Sequence, residues 1–180
     1  MLGPLLKGSL VTLAPIEPEH LPTFCRWLAD PEVTQFLSHQ NPYTLKEEEE
    51  WFEEVTRSER DIIWGIFVQD AHVGSIGITR IDWRNRRGVT GILIGDRSWW
   101  GRGVAGEAMR LRSRYAFEEL GLEKLVTYVN EGNVASRRAL EHAGYQTAGV
   151  HRHHEWLHGQ WSDVWVGELL RDTWRARQTE

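Results

Sequence analysis

The chain has 180 residues, 41% of them apolar, a formal net charge of −5 and a single cysteine, Cys25. Length and composition suit one globular domain over residues 1–180. They exclude a membrane-spanning helix, an internal disulfide and a cysteine-based zinc cluster. With no basic block, they also argue against nucleic acid as the main partner.

Met1–Lys7 lacks the charged and apolar regions of a signal peptide, so a cytoplasmic protein is expected. Leu10–Leu13 reads as a first strand, broken by Pro15 and Pro18. Pro18 to Leu28 reads as a helix with Leu21, Phe24, Cys25 and Leu28 on its apolar face, ended by Asp30-Pro31. Thr44 and Glu47 have the spacing of a capping box for a second helix. Its run Glu47–Glu50 is either a solvated face or an acidic rim that attracts amines.

The period then changes. Ile62–Val68 and Val73–Ile81 read as a hairpin, and Val89–Ile94 as a third strand after a polar turn. Three glycines, Gly101, Gly103 and Gly106, separate that strand from a helix with Val104, Ala108, Leu111 and Tyr115 on one face. Glycine admits positive φ and keeps side chains away from a ligand, and a helix N-terminus carries unpaired N–H groups. The order strand, glycine turn, helix therefore suits a phosphate or pyrophosphate. No Lys-Ser or Lys-Thr follows, which excludes a triphosphate P-loop. The G-x-G-x-x-G spacing is present, but a Rossmann unit opens its sheet with it, and here an antiparallel meander comes first.

Lys124–Val129 reads as a short strand. Asn133 caps the next helix, which Gly144 ends. Gln146–Leu170 reads as a hairpin turning at His158-Gly159-Gln160, and Arg171–Glu180 as a polar, frayed tail.

Three motifs in this order resemble the GNAT N-acetyltransferase superfamily, and its ribosomal-protein N-acetyltransferase-like branch most closely. The stretch Trp100-Gly101-Arg102-Gly103-Val104-Ala105 is similar to the family loop R/Q-x-x-G-x-G/A, with Trp100 in place of Arg or Gln. Asn133-Val134-Ala135-Ser136 leading to Gly144-Tyr145 is similar to the family's N-x-x-S and G-F/Y. The closing segment Gly149–Trp174 resembles the branch's ending.

The resemblance implies an α/β (α+β) fold: a mixed, mostly antiparallel sheet of about seven strands flanked by helices. It implies acetyl-CoA in a V-shaped gap between two central strands. The loop, Trp100 to Gly106, would hold the cofactor, with its pyrophosphate on the N–H groups of Arg102 to Gly106. Backbone groups of Ile92, Leu93 and Ile94 would pair with the pantetheine amides, and Asn133 would bond the same arm. The acetyl group would pass directly to a primary amine: a protein N-terminus, a polyamine, an aminoglycoside or a small amino compound. A monomer or homodimer would suffice.

Such transfer needs an amine stripped of its proton, donors for the thioester oxygen, and an acid or stabiliser for the leaving thiolate. Leu93 or Ile94 N–H is the candidate oxygen donor. Where many relatives carry a tyrosine acid this chain has Leu140, which leaves Ser136 as either the acid or a small residue at a helix start. Where many carry a glutamate base it has Val89, which leaves water or the hairpin residues His151, His153, Glu155 and Asp163. Asp163 also suits a purely hydrogen-bonding role in that hairpin. The apolar Val89 and Leu140 keep a silent acetyl-CoA-binding or sensing module as an alternative. A remote one is a zinc peptidase, since His154–His158 matches H-E-x-x-H. On a strand those histidines lie about 13 Å apart, and one zinc cannot reach both at about 2.1 Å, so no metal is expected.

Overall fold

The structure is a computed structural model that describes residues 1–38 and 42–178. Its strands are β1 (Leu6–Lys7), β2 (Thr12–Ala14), β3 (Ile62–Val68), β4 (Ala71–Asp82), β5 (Arg87–Ile94), β6 (Lys124–Asn130), β7 (Gln146–Leu157) and β8 (Gln160–Leu170). Its helices are α1 (Leu21–Leu28), α2 (Pro31–Thr34), α3 (Leu45–Arg57), α4 (Val104–Glu118), α5 (Val134–His142) and α6 (Arg171–Ala176).

The strands form one eight-stranded sheet in the order β1-β2-β3-β4-β5-β6-β8-β7. The strand beyond the expected seven is β1, a two-residue edge piece paired to β2. Among the described residues every ladder between these strands is antiparallel except β5–β6. A parallel pair needs a crossover. Here the glycine loop and α4 supply it.

Central strands read as near-continuous apolar runs because both faces are covered. β3 is buried along almost its whole length. One face packs α4 and α5 over Ile76, Ile78, Phe117, Leu125 and Trp165; the other packs α1, α2 and α3 around Phe24, Trp27, Val55 and Ile63. Fully burying one such side chain stabilises the fold by roughly 1.5–3 kcal/mol.

Helix α3 starts as the capping box requires. Thr44 Oγ1 accepts from Glu47 N–H at 3.3 Å, and Glu47 Oε2 accepts from Thr44 N–H at 2.7 Å. The β7–β8 hairpin turns on His158 and Gly159, at φ +51° and +79°, a pair that matches the right-handed strand twist.

Three expectations need correction. The strand expected over Leu10–Leu13 is β2, Thr12–Ala14, because Ser9, Leu10 and Val11 spend their N–H groups on the Glu107 carboxylate. The first helix is split, with a 3₁₀ turn at Pro18–His20 before α1; Trp27 belongs to its buried face, while Cys25 is only half-buried. Asp30-Pro31 ends the first helix as expected, and the Asp30 carboxylate caps α2 through Glu32 N–H at 2.9 Å. The tail is not frayed throughout: Arg171–Ala176 is helical, and buried Trp174 packs 5.3 Å from the Phe117 ring. Thr179 and Glu180 lie outside the described residues.

Candidate active site

The β5–β6 ladder joins Arg87 to Lys124 and ends at Thr90 and Thr127. Both strands run on. β5 follows β4 to Ile94, and β6 follows β8 to Asn130. Each is held by its outer neighbour, so the two part and leave a V-shaped cleft.

Backbone direction alternates along a strand. The Arg86 carbonyl accepts from Lys124 N–H at 3.3 Å, and the Thr90 carbonyl from Thr127 Oγ1 at 3.2 Å. Even-numbered residues of β5 therefore turn their backbone to β6, and beyond the ladder Ile92 and Ile94 face the cleft. Leu93 faces β4, and its carbonyl lies where a Cβ on Gly74 would come within 2.2 Å. Trp100 Nε1 donates to the Ile94 carbonyl at 2.8 Å. Of the expected Ile92–Ile94 set, the groups left to the cleft are Ile92 N–H, Ile92 C=O and Ile94 N–H.

Trp100 thus folds the loop back over the end of β5. Gly101 and Gly103 sit at φ +71° and +81°, a region a side chain rarely adopts. Gly103 is the N-cap of α4 and supplies no side chain to close it. The first N–H groups, on Val104, Ala105 and Gly106, meet the positive end of the helix dipole. Arg102 lies over the Trp99 ring at 5.4 Å and brings a cation beside the loop; Arg97 lies over Trp100 at 6.0 Å but is ion-paired with Asp30 and Glu32. A Cβ on Gly101 would meet nothing within 4 Å, so the approach is open. This donor set fits a pyrophosphate.

The first turn of α4 also holds Glu107, whose role was not legible in the sequence. Its carboxylate accepts from Ser9 N–H (2.9 Å), Ser9 Oγ (2.6 Å), Leu10 N–H (2.7 Å) and Val11 N–H (2.6 Å). Burial works to raise its pKa, but these bonds outweigh burial and lower it to about 2. The N-terminal segment is thereby clamped to the helix behind the loop.

On α5, Asn133 Oδ1 accepts from Ser136 N–H at 3.1 Å, so Asn133 caps the helix and keeps its amide N–H groups to donate. The Ser136 hydroxyl makes no hydrogen bond among the described residues. Leu140 is 2% exposed and belongs to the core. Val89 pairs with Val126, short of the cleft.

Asn130 ends β6 at the open side of the V. Its Nδ2 donates to Ser162 Oγ at 2.9 Å and Glu155 Oε2 at 3.3 Å, and Ser38 Oγ donates to Glu155 Oε1 at 3.1 Å. The Phe36 ring lies beside Gly132. A stretch just after α2 is thus brought to the hairpin, which no local pattern announced. Asp163 Oδ1 accepts from His153 N–H at 2.8 Å and fixes a bulge where β7 carries extra residues between His151 and Glu155. His154 and His158 lie on or next to β7, not on a helix. The first packs on His151, and the second meets the Gln35 carbonyl at 2.9 Å. Within the Glu47–Glu50 run Glu48 is not part of a solvated face: it is buried, and burial, with Glu47 beside it, raises its pKa.

Residues 11–146 match the family model described as an acetyltransferase (GNAT) domain. The chain is 28% identical over 172 residues to the uncharacterized N-acetyltransferase p20 of Bacillus licheniformis, covering 92% of this chain and 96% of that protein. The spermidine N-acetyltransferase of Vibrio cholerae, solved with CoA and spermine, has the same fold at a TM-score of 0.87 and 19% identity, over 93% of this chain and 99% of that one. RimL, a ribosomal L7/L12 α-N-protein acetyltransferase solved with CoA, shares it at 0.84 and 18%, over 94% and 99%.

The cleft and loop therefore belong to an acyltransferase, and this chain is a member of the GNAT acetyltransferase family. Its acetyl donor is acetyl-CoA. Among the described residues no helix is long and apolar enough to cross a membrane.

Proposed function

We propose that the chain transfers acetyl directly from acetyl-CoA to a primary amine that is protonated in water. The observation that carries this reading is the parting of β5 and β6 beside an uncapped, glycine-lined helix N-terminus. Gly101 to Gly106 hold the pyrophosphate through backbone N–H groups. Ile92 and Ile94 present cleft-facing amides, and Asn133 donates its side-chain amide. Acetyl-CoA supplies an activated acyl group with a thiolate leaving group. Ile94 N–H is the oxygen donor of choice, since Leu93 N–H faces β4. Ser136, with a free hydroxyl at a helix start, stabilises the departing sulfur.

The amine enters between the hairpin and the stretch Phe36–Ser38. Glu155 is held there by Ser38 and Asn130 with no ion pair to a cation among the described residues, so it can receive an ammonium. Such a carboxylate raises the amine's own pKa, so the proton is lost deeper in, beside the apolar strands. The solved relatives named for spermidine and for a ribosomal-protein N-terminus support amine acceptors as a class.

The test is release of CoA thiol across a panel of protein N-terminal peptides, polyamines, aminoglycosides and small amines. Cationic amines should turn over, with kcat/KM falling as salt rises and rate rising with pH. A preference for hydroxyl or anionic acceptors would overturn the assignment.

A further inference from the structure

The core beneath the cleft contains a charge that the family motifs do not account for. Arg112, on α4, is 1% exposed and forms no ion pair among the described residues. Its Nη2 donates to Tyr145 Oη at 2.9 Å, its Nη1 to the Gly91 carbonyl at 3.3 Å, and its Nε has no partner. Tyr145 Oη lies 3.1 Å from Thr90 Oγ1. Thr90 is the last residue of β5 paired with β6, and Gly91 is the first beyond that pairing. A buried guanidinium bonded to neutral oxygens alone is expensive, and an apolar group of similar size would often serve the fold as well or better.

The groups around it do not neutralise it. Tyr145, which enters from the α5–β7 turn, is the titratable side chain in contact. Residues 89–94 of β5 carry no ionisable side chain, and on β6 the Tyr128 ring lies against His151. On α4 itself Glu107 is spent on Ser9–Val11, while Arg110 and Arg114 are exposed.

We propose that Arg112 is a positioning residue for the transfer: a fixed positive charge at the apex of the V that favours the thiolate form of CoA. The inference rests on the cleft being the acetyl-CoA site. When the amine nitrogen bonds to the acetyl carbon, the C–S bond breaks and its electron pair stays on sulfur. Arg112 lies about 10 Å along β5 from the Ile94 N–H that takes the thioester oxygen, so it acts on that charge through the low-dielectric core and not by contact. This supplies the stabilisation that Leu140 cannot.

The test compares binding of CoA and desulfo-CoA by calorimetry in the native protein, Arg112→Met and Arg112→Lys. In the native protein the CoA to desulfo-CoA affinity ratio should rise about tenfold between about pH 6 and about pH 9, as the thiol ionises beside the charge. In Arg112→Met the ratio should stay flat while desulfo-CoA affinity and the melting temperature hold, and Arg112→Lys should restore part of the rise. A ratio that rises equally in Arg112→Met overturns the proposal. So does an Arg112→Met protein that loses stability and desulfo-CoA affinity together, which would make the residue structural. If neither ligand binds the native protein, the cleft itself is wrongly assigned, and the proposal falls with it.

Discussion

At the start of α3, the Thr44 hydroxyl and the Glu47 carboxylate satisfy each other's backbone N–H groups within one turn. At the start of α4, Gly103 sits at φ +81° and no side chain does the same work. Both helices have the same unpaired donors and the same dipole. The difference lies in what finishes them. A polar cap consumes the donors locally and helps fold the helix. A glycine cap leaves them for something outside the chain, and stability must come from elsewhere. Glu107 provides it by tying the first turn of α4 to Ser9–Val11 rather than by closing its end.

Substituting Gly103 should break this contrast hardest. Gly103→Val places a β-branched side chain at a left-handed position in the path of the ligand. Acetyl-CoA affinity should fall on the order of a thousandfold, or ~4 kcal/mol. Gly103→Asn tolerates that φ better and should keep the fold while still weakening binding. Equal affinity in calorimetry for native protein and Gly103→Asn would mean that these donors are not used.

The Glu107 clamp gives the next largest effect. Its pKa is lower folded than unfolded, so its stabilisation is complete above the unfolded value near 4.5 and fades as pH falls towards about 2. That depression corresponds to about 3 kcal/mol. Thermal unfolding followed from neutral pH downward should show the loss in the native protein. Glu107→Gln should start less stable and stay flatter across that window.

Helix α5 offers an intermediate case, capped by Asn133 through the backbone of Ser136 and not through its hydroxyl. Ser136→Ala therefore keeps the cap and should leave acetyl-CoA affinity unchanged, while kcat drops roughly tenfold. A parallel loss of binding and stability would return Ser136 to a structural role. Smallest is Thr44→Ala, which should lower stability by ~1 kcal/mol and leave acetyl-CoA binding untouched. An effect on affinity there would show that α3 is coupled to the cleft.

Local chemistry wrote the caps, the glycine turns and the strand runs plainly into the sequence, because each depends on residues within a few positions of one another. Thr44 with Glu47, Asn133 with Ser136, and Ile62–Val68 were all readable for that reason. The glycine-loop and N-x-x-S motifs likewise mark the starts of α4 and α5. For the expected backbone set Ile92–Ile94, a sequence does not say which way a strand's odd and even residues face, and folding turns Leu93 to β4.

What the tertiary structure decided are the contacts between distant segments. The cleft exists because β4 and β8 pull β5 and β6 apart, and strand order is not a local property. Glu107 finds Ser9, Glu155 finds Ser38, and Arg112 finds Tyr145 and Gly91 across long stretches of chain. Each of these polar side chains would read, alone, as an ordinary solvated residue. They acquire a function because folding removes water and leaves the other end of the chain as their hydrogen-bond partner.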